Sequence, residues 1–335
     1  MTDLSLIIDN YNGRHHLDAL CDSLARQTRP ADEVLVVDNA STDGSVAHLR
    51  AHHPWVTVIA LKENVGFAAG NNIGAAHATG RYLALLNNDT IADQHCPAEL
   101  LATLEADPRI GAAVAKIYRA ADYPRLDCAG AEFNNLSYNW GRGTNQLDRG
   151  QYDAPHGAPS EVPTLTACAL VLRRAALGDQ PLFDPQLFMY YEEFDLSLRV
   201  RAAGYSIRYA PRAIVRHKGS QAVRGVTSRP VLFQQFLGNR NRVKLLAKYY
   251  PLSTLLRNLP LIALSLAYWD FVFVRDGGLR FGLRAVAAQF AFARHGLRER
   301  RLLPAGQAAA WLPWMKQQGL RDLAALRSSF ADGGE

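Results

Sequence analysis

Cysteine is sparse: the four among 335 residues, Cys21, Cys96, Cys128 and Cys168, never stand in CxxC spacing. That excludes a disulfide-dense scaffold, argues against a zinc site and fits a reducing cytoplasm. Met1-Thr2-Asp3-Leu4 has neither a basic cluster nor a long apolar run, so no signal peptide is predicted. A P-loop is excluded, because no GxxxxGKS or GxxxxGKT stretch occurs. Gly66-Phe67-Ala68-Ala69-Gly70 lacks GxGxxG spacing and precedes a predicted helix instead of following the first strand, which argues against a dinucleotide fold. The most apolar run, from Leu259 to Val274, has 16 residues with Pro260 and Asp270 inside. That is short of the roughly 20 needed to span a bilayer. Acidic residues almost vanish from 208–301, which carries 18 Lys/Arg against 3 Asp/Glu, whereas 1–207 has a net charge of −9. A segment this basic faces something anionic: phospholipid, nucleic acid or a phosphorylated ligand. It contains no nucleic-acid reading motif, so nucleic acid is set aside.

What the chain does have is alternation. Leu4 to Ile8 and Val34 to Val37 read as buried strands, and Leu17, Leu20, Cys21 and Leu24 form a helical stripe between them. A helix from Ser45 to about His53, a strand from Trp55 to Leu61, a helix from Asn71 to Ala78 and a strand from Tyr82 to Leu86 follow. Pro97 suits the first turn of the next helix. Such βαβ units predict a parallel sheet covered on both faces, with ligands gathered at the carboxyl ends of its strands. Three polar clusters fall at those ends: Asp9 to Asn12, Asp38 to Ser45, and Asn87 to Thr90. Asp and Asn also cap helices and make turns, and Asp43 is the strongest cap candidate. Asp38 and Asp89 stand directly at strand ends, where a ligand is the better reading.

Asn10-Tyr11-Asn12-Gly13, Val37-Asp38-Asn39-Ala40-Ser41-Thr42-Asp43-Gly44-Ser45, the segment from Asn64 to Asn72, and Leu86-Asn87-Asn88-Asp89-Thr90 together resemble family 2 glycosyltransferases. The nearest branch is the rhamnosyltransferase-like enzymes of bacterial cell-surface polysaccharide assembly. Phe188-Met189-Tyr190-Tyr191-Glu192-Glu193-Phe194-Asp195, continuing to Tyr205, is similar to the family's second acidic motif. The resemblance covers about residues 4–220. It implies a GT-A fold: a Rossmann-like α/β domain with a mostly parallel central sheet and helices on both faces, here followed by a helical basic region. It also implies inverting transfer of a sugar, rhamnose among the candidates, from a nucleoside diphosphate to a hydroxyl of a saccharide or lipid-linked saccharide.

Residue by residue, the resemblance places Tyr11 and Asp38 on the nucleotide base and ribose and Asn72 in the nucleotide pocket. Asn88 and Asp89 match the DxD-like motif, Asp89 meeting a divalent Mg²⁺ or Mn²⁺ on the diphosphate. That motif reads Asn87-Asn88-Asp89 here, with one carboxylate instead of two or three. His217, in a His-x-x-Gly-like element one residue shorter than the family's, is a second candidate ligand. The acceptor hydroxyl needs a general base. Glu193 stands where the family has its basic Asp, with Asp195 second and Glu192 third in order. A helix dipole would favour all three acids at a first turn in any case. A non-enzymatic alternative is a nucleotide-sugar or carbohydrate-binding protein with a degenerate site.

Residues 1–225 are therefore expected to form the catalytic domain, with a nucleotide half at 1–117 and an acceptor half at 118–225. The segment from about Tyr118 to Glu161 has no clean period, and Asn134 to Gly141 reads as a loop over the donor sugar. Thr166 to Leu172 reads as a further strand. Residues 226–335 are expected to be helical and to lie on the anionic inner face of the cell membrane. A core helix pair is the other reading of the apolar run, and a short helix is expected from Gly319.

Overall fold

The computed structural model describes residues 3–219, 227, 229–300 and 306–317. The short helix expected from Gly319 lies outside them. Two compact units are present: Met1–Ala131 with Gly141–Ala222, and Glu132–Trp140 with Val223–Glu335.

In the first unit the chain runs β1 (Leu4–Asn10), α1 (Arg14–Ala25), β2 (Glu33–Asp38), α2 (Ser45–His52), β3 (Thr57–Ala60), α3 (Phe67–His77), β4 (Tyr82–Leu86), β5 (Thr90–Ala92), α4 (Cys96–Glu105), β6 (Ile110–Arg119) and β7 (Leu126–Cys128). A ribbon of β8 (Ala131–Phe133) and β9 (Asn139–Gly141) follows. Then come β10 (Ser160–Glu161), β11 (Ala169–Arg173), α5 (Glu192–Ala202) and β12 (Ser206–His217). The main sheet is ordered β3-β2-β1-β4-β11-β6-β12-β10. β1, β2, β3 and β4 are mutually parallel, β6 and β12 run the same way, and β11 lies reversed between β4 and β6.

Period-two alternation explains the two-sided core. Leu4, Leu6 and Ile8 face α1 and α4, packing with Leu17, Leu20, Cys21, Leu100 and Leu104. Ile7, Leu35, Leu83 and Leu85 point the other way, toward Ala68 and Ala75 of α3 and Leu196 and Val200 of α5. This is the mostly parallel GT-A sheet covered on both faces.

α3 begins at Phe67, earlier than the expected Asn71. Gly66 (φ +86°) starts it, and Gly70 lies inside it because a Cβ there would come within 2.2 Å of Asp9 Oδ1. These glycines form a helix start pressed against a strand end.

In the second unit, α6 (Pro230–Tyr249), α7 (Leu252–Arg257), α8 (Leu259–Gly277) and α9 (Leu279–Arg300) form a helical array. Residues 132–140 belong to this unit, and β9 occupies the end of the stretch expected to be a loop. Asn134, Asn135, Ser137 and Tyr138 are buried there. Asn135 Nδ2 donates to Asn258 Oδ1 (2.6 Å), Trp269 Nε1 to Tyr138 Oη (2.9 Å), Tyr250 Oη to Asn134 O (2.7 Å) and Arg242 Nη1 to Leu136 O (2.9 Å). The Asn and Tyr residues that made the segment look like a surface loop are the polar anchors of a plug. No helix among the described residues is long and apolar enough to cross a membrane.

Candidate active site

Three parallel strands deliver three polar tips to one edge, and hydrogen bonds join them. Asn88 Nδ2 donates to Asn10 Oδ1 (2.8 Å), and Asn10 Nδ2 donates to Asp38 Oδ2 (2.8 Å). Gly13 permits this contact, since a Cβ there would fall 2.2 Å from Asn88 Nδ2. Asp38 is buried and also accepts the Ser41 amide at 2.9 Å, which shapes the loop after β2. Tyr11 sits half-buried in the turn after β1. Asp43 accepts from the Ser45 amide (3.0 Å) and the Arg14 amide (2.8 Å), but the N-cap of α2 is Gly44, which corrects the expectation that Asp43 is the cap.

Asn72 goes elsewhere. Its amide donates to Phe183 O and accepts from Phe183 N, both at 2.8 Å. With both ends of the amide on that backbone, Asn72 braces α3 against the segment that leads to α5.

β5 and β12 bring together residues far apart in sequence. His217 pairs with Thr90 in the ladder, and the Lys218 amide donates to Asp89 O at 2.9 Å. His217 Nε2 then lies 3.1 Å from Asp89 Oδ1, while its Nδ1 meets Asp127 Oδ2 at 2.8 Å. Burial opposes the charged imidazole, but the Asp127 and Asp89 carboxylates overcome it and raise its pKa to about 10. Nε2 is buried without a properly aligned hydrogen-bond partner. A carboxylate oxygen facing an orphaned imidazole nitrogen suits a divalent cation, which binds in place of the proton. Asp89 and His217 thus fit the metal that the fold implies. His16 lies close by. Its Nδ1 is 3.4 Å from Lys218 Nζ, its Nε2 is buried without a partner, and burial, with His15 and Lys218, lowers its pKa to about 4.

The acids of α5 separate by environment. Asp195 is fully buried and ion-paired with Arg199 (2.8 Å), which also donates to Pro181 O and Leu182 O. It is a structural brace, which corrects its place as second candidate base. Glu192 is 4 % exposed, and its Oε2 has no hydrogen-bond partner. Burial, then the charges of Glu193 and Asp9, push its carboxyl well above the usual range. Asp9, at the end of β1, is likewise raised by burial and by Asp38, against a hydrogen bond from Asn39 (2.9 Å). Glu193 is half-buried in the first turn. The approach to this turn is strained: Phe188, Tyr190 and Tyr191 have φ of 64°, 69° and 72°. Bulky residues hold such angles only where the surroundings over-determine them, and such outliers cluster at functional sites.

Asp9, Asp127, His16 and Lys218 were not singled out by sequence reasoning. Asp9 had a signal, being in the first polar cluster. Asp127 had none, because only the ladders of β7 and β12 bring it near His217 and Asp89, and His16 had none, because only the packing of α1 does so.

Residues 5–178 match the Glycosyl transferase family 2 profile, and the chain belongs to that family. It is 29% identical over 244 residues to the N-acetylglucosaminyl-diphospho-decaprenol L-rhamnosyltransferase of Mycobacterium tuberculosis, covering 65% of this chain and 76% of that one. Among solved structures, the mannosyltransferase PcManGT of Pyrobaculum calidifontis, in complex with GDP-Man and Mn²⁺, superposes with a TM-score of 0.53 at 18% identity, covering 99% of this chain and 88% of that one. GalNAc-T7 with UDP, GalNAc and Mn²⁺ gives 0.56 at 18% identity over 75% of this chain and 49% of the other. These structural likenesses carry the fold.

Proposed function

We propose that this glycosyltransferase moves a sugar, rhamnose first among candidates, from a nucleoside-diphosphate sugar to a hydroxyl of a saccharide or lipid-linked saccharide, with inversion, in cell-surface polysaccharide synthesis. The observation that carries this reading is the meeting of Asp89 with His217 at the strand edge that also presents Asp38. The mycobacterial rhamnosyltransferase supports the donor and acceptor class. Manganese and nucleotide in the structural relatives support a divalent ion.

Asp38 and Tyr11 hold the nucleoside, and the Asn10–Asn88 bridge keeps the strand tips in register for it. Asp89 and His217 would hold Mg²⁺ or Mn²⁺, which when bound neutralises charge growing on the departing diphosphate. Asp127 orients the imidazole through Nδ1, leaving Nε2 toward the cation. Glu193 takes the proton of the attacking hydroxyl. Burial and the neighbouring Glu193 charge disfavour the ionised form of Glu192, which leaves the proton-accepting role to Glu193.

The helical unit supports a station on the inner face of the cell membrane. Leu252, Leu259, Phe271, Leu279, Leu283 and Phe290 are each more than half exposed, beside Arg257, Arg275, Arg280 and Arg284. Apolar side chains flanked by arginines suit a helix lying in an anionic interface.

The test is release of nucleoside diphosphate across a panel of nucleotide sugars with Mg²⁺ or Mn²⁺. The account expects turnover with at least one donor. Tight nucleotide-sugar binding without turnover on any donor and acceptor would support the degenerate binding protein instead.

A further inference from the structure

Behind the nucleotide loops lies a second group of donor atoms that the transfer reaction does not use. Asp18 stands on α1, His48 on α2, and His53 directly after α2. His48 Nε2 and His53 Nε2 approach the same oxygen, Asp18 Oδ1, at 2.5 and 3.0 Å. The three donor atoms all lie within 4.8 Å of one another. Both imidazoles are buried to 9 % exposure, whereas the Asp18 side chain is 56 % exposed. Neighbours set the ring planes: His52 stacks on His48 with centroids 4.4 Å apart, and Trp55 presents an edge to His53 at 6.5 Å. The nearby cation, Arg14, lies 3.5 Å from the other carboxylate oxygen, Oδ2. Oδ1 is thus directed at the two imidazoles.

We propose that Asp18, His48 and His53 form a metal site for a borderline divalent cation, Zn²⁺ foremost, with water completing the coordination on the exposed side. Two imidazole nitrogens and one carboxylate oxygen suit zinc better than magnesium, which prefers oxygen ligands. Tetrahedral zinc with bonds near 2.0–2.1 Å needs donors about 3.3 Å apart. Each nitrogen–oxygen gap therefore has to open by less than about 1 Å. The exposed Asp18 side chain can supply that movement without disturbing the buried rings.

The site ties α1 to the end of α2. Those helices begin directly after the loops that carry Tyr11 and Asp38. The loops meet through the Thr42 amide on Asn12 Oδ1 and the Arg14 amide on Asp43 Oδ2, both at 2.8 Å. A cation at Asp18 clamps the two helices that support these loops, at a place separate from Asp89 and His217.

The experiment is zinc chloride titration of the full chain, read by calorimetry and by thermal melting, in excess Mg²⁺. It is repeated in an Asp89→Ala/His217→Ala background, which silences the active-site donors. The expected result is uptake of one zinc at micromolar concentration or below in both backgrounds, with a rise in melting temperature. His53→Ala and Asp18→Ala should each weaken uptake about tenfold or more. Asp18 is exposed, so its variant folds and keeps the test decisive if His53→Ala does not. No zinc uptake, equal uptake by Asp18→Ala, or uptake lost only with Asp89 and His217 would each overturn the proposal.

Discussion

The two units distribute polarity in opposite ways. In the catalytic unit, buried polar groups collect at one sheet edge, where Asn10, Asp38 and Asp89 are 0–5 % exposed and linked to one another or to neighbouring strands. In the helical unit three cations of α6 go inside, while large apolar side chains and several arginines go out. Arg242 and Lys244 are fully buried, while Leu279 and Phe290 are 66 % and 74 % exposed. Arg242 is held by Asn239 Oδ1, Leu136 O and Ser265 Oγ and lies over the Tyr138 ring at 4.5 Å. Lys244 and Lys248 share Glu299 at 2.8 and 2.9 Å. A soluble helical array would hide Phe290 and expose Lys244. The reversal is what the proposed membrane station of this unit rests on, as the linked polar rim is what the proposed nucleotide site rests on.

The sharpest way to break this contrast is at the rim. Glu193→Gln should lower transfer by about 10²–10⁴ with the fold intact, measured as product formed per enzyme. Wild-type transfer by this variant would move the base elsewhere. The outer face of the helical unit comes next. Phe271→Ser with Phe290→Ser should weaken binding to phosphatidylglycerol vesicles about a hundredfold, because each buried aromatic is worth about 1.5–3 kcal/mol. Donor hydrolysis in solution should stay at the wild-type rate, and unchanged co-sedimentation would remove the membrane reading.

Inside that unit, Glu299→Gln should destabilise α6 and α9 by about 1–3 kcal/mol, since it removes the carboxylate charge that Lys244 and Lys248 share. Burial opposes ionisation of Glu299, yet Lys244 and Lys248 hold its pKa below the ordinary value. Its stabilisation is therefore present above the unfolded pKa, about 4.3, and lost as pH falls through the lower folded value. Amide exchange of α6 and α9 should accelerate below about pH 4 in the wild type, with a weaker pH response in Glu299→Gln. The smallest effect is expected at the brace. Asn72→Ala, losing two hydrogen bonds to Phe183, should cost about 1–3 kcal/mol, seen as a lower denaturation midpoint with nucleotide affinity retained.

Local pattern carried the parallel half of the catalytic unit. β4 runs from Tyr82 to Leu86 as expected, the Leu17–Leu24 stripe is buried, and α5 starts at the acidic triplet. Those features rest on periods of two and 3.6 residues, which act over a few turns of chain. Resemblance supplied His217 as a partner for Asp89, but the physical link is the β5–β12 ladder across more than a hundred residues. Asp127 stayed invisible for the same reason. The segment 132–140 misled because Asn, Ser and Tyr mark surface loops unless tertiary partners satisfy them. Here Asn258, Ser265 and Trp269 do so. The ion pair of Asp195 was equally hidden, since only the fold shows Arg199, one turn on, turned toward it.

One comparison tests the centre of the account most directly: Asp89→Ala against Glu193→Gln, each assayed with Mn²⁺ for donor hydrolysis and for transfer to an acceptor. Loss of both reactions in Asp89→Ala, with hydrolysis retained and transfer lost in Glu193→Gln, is the predicted outcome. Full turnover by Asp89→Ala would contradict it.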